Sequence, residues 1–186
     1  MLKLKCFKTI KDTDFGLATK EFNKPRTRLG ARGVIVNSEN KIAILYKQKK
    51  NEYKLIGGGV EPTEEPIQAF KREALEECGC KIKIIQNIGT IEEHKSLDNF
   101  KQISFVYIAS VIEDLHSTSF TEKEKGEGSE TLWLNIDEAI EKIKDCENNL
   151  LASPYDGNKS IYHTKFIVRR DYEILKYVKE NYGNLL

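Results

Sequence analysis

The sequence predicts an α/β domain: a mixed β-sheet with helices on its faces. Three observations predict it. β-Branched and apolar runs recur between turn signals, at 33–36, 41–47, 53–56, 81–93, 101–113 and 130–136. Apolar residues at helical spacing interrupt these runs after Pro66 and again near the C-terminus. No repeat and no linker splits the 186 residues, a length that fits one domain and buries a core without covalent staples.

Residues 1–30 are Lys-rich, with Leu2, Leu4 and Cys6 alternating, and read as an N-terminal strand or hairpin extension; 31–186 reads as the main domain. GVIV (33–36), the turn NSEN and KIAILYK (41–47) form a hairpin. Residues 53–56 give a short strand running into Gly57-Gly58-Gly59, where the backbone is free to approach a ligand. Pro66 suits the first turn of a helix, and Gly79 its end. Within that helix Ile67, Phe70, Ala74 and Cys78, with Leu75 at the margin, form the expected buried stripe. Two long strands follow. Residues 114–129 are charged and read as a mobile loop. A strand at 130–136, a helix at 137–146 capped by Asp137, and a C-terminal helix over 161–182 complete the chain.

Lys and Arg number 30 against 29 Asp and Glu, which argues against a general nucleic-acid binder. No apolar run reaches membrane-spanning length, and the N-terminus is too polar for a signal peptide, so a cytoplasmic location is expected. Cys6, Cys78, Cys80 and Cys146 make no metal-binding pair and read as reduced thiols, with Cys78 and Cys80 pointing different ways at the helix end. His94, His116 and His163 are scattered and read as surface or loop residues.

Between Gly58 and Gly79 seven fixed residues fall into register: Gly58, Glu64, Arg72, Glu73, Glu76, Glu77 and Gly79. Chance produces such a match at roughly 10⁻⁸ per start point. Glu73, Glu76 and Glu77 stand at i, i+3 and i+4, so a helix projects them from one side, where a cation is needed to offset their repulsion. Hard oxygen donors in that number suit Mg²⁺. The spacing resembles the box of the Nudix hydrolases, G-x5-E-x7-R-E-U-x-E-E-x-G-U. Ala74 and Cys80 are small for the two U positions, and Thr63 and Ile56 replace the usual Gly and Pro, but every charged position is kept.

That resemblance implies a Nudix-type α/β/α sandwich with a mixed sheet. It implies an enzyme that cleaves a phosphoric anhydride in a nucleoside diphosphate linked to another group, or in a nucleoside triphosphate, using Mg²⁺ or Mn²⁺. It implies metal ligation by Glu73, Glu76, Glu77 and the carbonyl of Gly57, with Arg72 orienting a helix carboxylate. Glu73 is a ligand or the base. Glu127, six residues before Trp133, is preferred over Glu130 as a loop carboxylate that completes the site. Lys47 matches a place where relatives set a cation near substrate phosphates. The partner is a small nucleotide or other diphosphate, with no membrane and no nucleic acid, and a homodimer is compatible with the sequence. A non-catalytic sensing module and an RNA pyrophosphohydrolase are the alternatives. ADP-ribose enzymes of the family show a Pro about sixteen residues past the box, where this chain has Lys95. Tyr53, Phe105, Tyr107 and Trp133 are candidates to stack a base.

Overall fold

The computed structural model describes residues 5–155 and 158–186. Among them eight strands make one mixed sheet: β1 (Cys6–Lys11), β2 (Arg26–Val36), β3 (Ile42–Lys47), β4 (Glu52–Leu55), β5 (Gly57–Gly59), β6 (Cys80–Lys95), β7 (Phe100–Asp114) and β8 (Ser129–Leu134). The spatial order is β1-β6-β7-β2-β3-β4, with β5 paired to β2 and β8 to β3. β1 runs parallel to β6 and β2 parallel to β7; the other pairs are antiparallel. β2 begins at Arg26, ahead of the boundary expected at Ala31, and β1 joins the sheet through β6.

The helices are α1 (Pro66–Cys78), α2 (Glu122–Gly126), α3 (Ile136–Cys146) and α4 (Asn158–Tyr182). The period of two along each strand divides the core. Ala31 and Ile35 of β2, with Ala43 and Leu45 of β3, pack against Phe70 and Ala74 of α1. Val34 and Val36, with Ile42 and Ile44, face the other way, onto Ile143 of α3 and Phe166, Ile174 and Val178 of α4. The result is the expected α/β/α sandwich.

Several sequence expectations need correction. Ile67 and Leu75 are each 41% exposed; Ala69 is buried beside Phe70 instead. Glu77, expected near the border of the helix stripe, is buried. Asn135, not Asp137, is the N-cap of α3, and Asp137 lies in its first turn. The segment 114–129 contains α2, closed at its start by Thr121, whose Oγ1 accepts from the backbone N–H of Glu124. Cys78 and Cys80 do not diverge: their sulfurs lie 3.6 Å apart as free thiols.

Candidate active site

Pro66 sets the first turn of α1, and the Gln68 side chain accepts from the Glu65 N–H to close its open end. The helix rests on β2, β5 and β6, so its polar side meets the glycine strand β5. Arg72 is the centre of that side. Its guanidinium grips Glu64 with two parallel bonds, Nε to Oε1 at 3.0 Å and Nη2 to Oε2 at 3.1 Å. Nη1 donates to Glu73 Oε1 at 2.8 Å and to Glu76 Oε2 at 3.0 Å, and Nη2 also reaches the carbonyl of Gly59 at 3.1 Å. Hydrogen bonds donated first to Glu64 and then to Glu73 hold Arg72 firmly protonated.

Glu77 is held differently. Lys54 Nζ donates to its Oε1 at 3.0 Å, and the N–H of Gly57 donates to Oε2 at 2.9 Å. Burial pushes its carboxyl pKa up, against the opposing pull of Lys54 and the Gly57 N–H. Gly57 has φ of 142°, a conformation that side chains rarely adopt. A Cβ on Gly58 would stand 2.1 Å from Glu73 Oε1, so only glycine lets that carboxylate lie on the strand.

Among the described residues no three acidic, histidine or cysteine side chains converge on one point. The residues nevertheless fit a hard divalent cation. Glu73 and Glu76 already share one cationic nitrogen of Arg72, which shows that their oxygens can turn onto a single positive centre. Glu77 adds a third carboxylate from the same helix, seated against Gly57.

Gly57 and Gly58 also line a cleft of about 610 Å³. Its charge is lopsided. Among the described residues nine Lys and Arg side chains line it against two carboxylates, Glu52 and Glu93. β2 supplies Arg26, Arg28 and Arg32; Lys47, Lys50 and Lys54 stand at and after the end of β3; β6 gives Lys95, α2 Lys123 and α4 Arg170. Lys47 is where the sequence placed a cation, and its Nζ donates to Glu127 Oε2 at 2.9 Å. Glu127 is fully buried, and its other oxygen accepts from Ser153 Oγ at 2.8 Å. Both of its oxygens are therefore engaged, in place of the free loop carboxylate expected. Glu130 is exposed on β8. Of the histidines, His163 lines the cleft.

Sequence reasoning missed most of the cationic wall. Arg32 donates to Ser104 Oγ at 3.1 Å and is buried. Arg170 donates to Asp171 at 2.7 Å and to Glu93 at 3.0 Å, and Glu93 also pairs with Lys95 at 3.0 Å. Burial pushes the Glu93 carboxyl up, but the charges of Lys95, Arg170 and Arg32 outweigh it and hold the pKa at about 2. One signal was present in the sequence. Arg26, Arg28 and Arg32 share one face of β2 with Val34 and Val36, so a strand face turns from arginine to valine.

The NUDIX domain family model matches residues 26–153. The chain belongs to the Nudix family. It is 32% identical over 115 residues to diphosphoinositol polyphosphate phosphohydrolase 2 of Rattus norvegicus, covering 56% of this chain and 60% of that one. It is 32% identical over 112 residues to diphosphoinositol polyphosphate phosphohydrolase 3-beta of Homo sapiens, covering 55% and 64%. The chain thus spans somewhat over half the length of the curated relatives it matches. A Nudix hydrolase structure from Nitrosomonas europaea superposes with a TM-score of 0.55 at 18% identity, covering 80% of this chain and 89% of that one, a likeness of fold.

Proposed function

We propose that this Nudix pyrophosphohydrolase cleaves a phosphoric anhydride on a small molecule that carries several further phosphoryl groups. The carrying observation is the cleft, where among the described residues nine cationic side chains stand against two carboxylates in a chain of formal net charge +1. Positive charge gathered in a concave wall focuses field and concentrates a polyanion. Diphosphoinositol polyphosphates, named in the relatives above, have this chemistry. A nucleoside diphosphate linked to another group is the smaller alternative, and the four aromatics that the sequence offered for base stacking give it little support; Phe100, which does line the cleft, has Arg26 over its ring. Tyr53 stacks on Tyr46 and Tyr107 on Phe70, while Phe105 and Trp133 pack on the α1 core; none of the four lines the cleft. A non-catalytic sensing module is disfavoured because every charged box residue is retained.

Glu73, Glu76, Glu77 and the Gly57 carbonyl would hold Mg²⁺ or Mn²⁺. When bound, the metal lowers the pKa of its water and polarises the phosphoryl group. Arg72 orients Glu73 and Glu76 through Nη1. Glu73, seated on Gly58 at the cleft, is the proposed acceptor of the attacking water's proton. Lys47 meets substrate phosphate, and Glu127 positions it.

The test is a phosphate-release screen over nucleoside triphosphates, ADP-ribose, dinucleoside polyphosphates and a diphosphoinositol polyphosphate, with and without Mg²⁺. The highest kcat/KM is expected on the most phosphorylated substrate, with loss of activity in chelator. A preference for ADP-ribose would sink the polyanion reading, and full turnover in chelator the metal reading.

A further inference from the structure

Two buried donors in the cleft wall have no partner. Gln102 Nε2 and Arg170 Nη2 belong to residues that are 5% and 2% exposed, both residues line the cleft, and neither atom has a hydrogen-bond partner among the described residues. Two buried acceptors in the same wall, Glu52 Oε2 and Glu93 Oε1, also lack a hydrogen bond, but each is held in an ion pair with a lysine and neither reaches these donors. Leaving a buried donor unsatisfied is unfavourable, so the arrangement calls for an acceptor that the described residues do not place there.

Arg170 is not free to turn away and find one. Arg170 is pinned through Nε to Asp171 and through Nη1 to Glu93. Asp171 in turn accepts the Leu55 N–H at 2.8 Å, and Glu93 faces Lys95. Gln102 sits in register between Glu93 on β6 and Arg28 on β2. A Cβ at Gly30 would stand 2.6 Å from Gln102 Nε2 and 3.2 Å from Arg32 Nη2, so both nitrogens converge on a stretch of bare backbone. Gly30 pairs with Gly59, where a Cβ would stand 2.4 Å from Arg28 Nη2. Two paired glycines therefore form a floor beneath three nitrogen donors.

The charge in this region is also incomplete. Among the described residues around Arg32, four cations (Arg32, Lys54, Lys95 and Arg170) face three buried carboxylates, Glu77, Glu93 and Asp171. Burial, then repulsion from Arg170, lowers the Arg32 pKa to about 10, as expected of a cation short of a counter-charge.

The geometry points to a second anion subsite, in which Gln102 and Arg170, with Arg28 and Arg32, hold a phosphoryl group of the substrate that is not cleaved. This rests on the polyphosphate reading above. Its occupant is a phosphate ester oxygen, which accepts from an amide and a guanidinium alike. Arg170 lies on α4, outside the residues 26–153 matched by the family model, so the subsite depends on a part of the chain beyond that match.

The experiment is calorimetric binding of inositol hexakisphosphate, which carries phosphate esters but no anhydride, to the full chain without divalent metal. Gln102→Leu removes one donor and no charge. It should weaken binding by about tenfold, the effect of one hydrogen bond to a charged group. It should leave the Tm of the free protein unchanged or raised, because an unsatisfied donor is gone; a merely structural glutamine would lower it. Arg170→Lys, which keeps the charge and loses the fork, should also weaken binding. On a cleaved polyphosphate both variants should raise KM and leave kcat near wild type. Wild-type affinity in both variants would overturn the subsite and leave the polyphosphate reading intact. Failure of the wild-type protein to bind would overturn both.

Discussion

On α1, the charges of the site lie within one helix: Arg72 bonds Glu73 and Glu76 beside it, and Glu77 follows directly. The cationic region is assembled otherwise. Arg32 comes from β2, Glu93 and Lys95 from β6, Gln102 and Ser104 from β7, Arg170 and Asp171 from α4. The acidic side is spaced by the helix repeat, so its geometry is already present in local sequence. The basic side exists only once the sheet has ordered its strands as β6-β7-β2 and α4 has docked. On the proposed function, local spacing specifies the reacting end of the site, and topology specifies the end that would select what reacts.

The largest expected effect separates the two regions by stability. Glu93→Gln leaves Lys95 and Arg170 buried without their shared carboxylate and should cost about 3–5 kcal/mol of folding stability. The pH dependence has a definite sign. The folded pKa of about 2 lies below the ordinary 4.5, so the Glu93 contribution is complete above about pH 4.5 and is lost as pH falls toward about 2. Denaturant unfolding of wild type and variant across that range should converge at the acid end. A gap that stays constant with pH would show that Glu93 does not carry the charge balance.

Next come the box carboxylates. Glu73→Gln and Glu76→Gln should each lower kcat by about a hundredfold or more, with Tm little changed, since both lie beside Arg72 with some exposure. Glu77→Gln should lose as much activity and also stability, because the buried Glu77 position loses its charge and the half-buried Lys54 loses its ion pair. Near wild-type turnover in all three would make the acidic helix decorative.

This contrast also explains what the sequence made legible. The hairpin of β2 and β3, helix α1 and both long strands follow from periods of 2 and 3.6, and the structure places them as expected. The register between Gly58 and Gly79 gave the acidic side. Ile67 and Leu75 misled because helical spacing names a stripe but not its width, and α1 turns only Ala69, Phe70, Ala74 and Cys78 fully inward among its apolar residues. The buried Lys95–Glu93–Arg170 network was illegible because charged residues on a strand ordinarily read as its wet face. Only the packing of α4 reverses that reading.

Glu127 sharpens the comparison, since it is a carboxylate on the basic side. Its pairing with Lys47 and Ser153 makes it a holder of that lysine. Glu127→Gln should cost about 1–3 kcal/mol, because Lys47 is also buried and loses its charged partner, while kcat falls only a few-fold. Exposed Glu130→Gln should change neither. A hundredfold loss of kcat in Glu127→Gln at unchanged Tm would return Glu127 to the catalytic group.

The smallest effect tests whether charge in the cleft selects substrate without supporting the fold. Arg28 is exposed, so its removal leaves no buried partner stranded, and Arg28→Gln should leave Tm unchanged. Its guanidinium lies over Gly59 at the cleft, where a polyanion gains from it in bound and transition states alike. Uniform binding of that kind sets KM and not kcat. KM for a polyphosphorylated substrate should therefore rise by about fivefold in Arg28→Gln, with kcat held. Exposed charge is also screened, with a Debye length of about 10 Å at 0.1 M salt. The ratio of mutant to wild-type KM should thus shrink as salt rises from about 0.01 M to about 0.5 M. A ratio that does not change with salt would mean that Arg28 acts through shape or a hydrogen bond, and the selectivity of the cleft would then rest on its buried donors more than on its field.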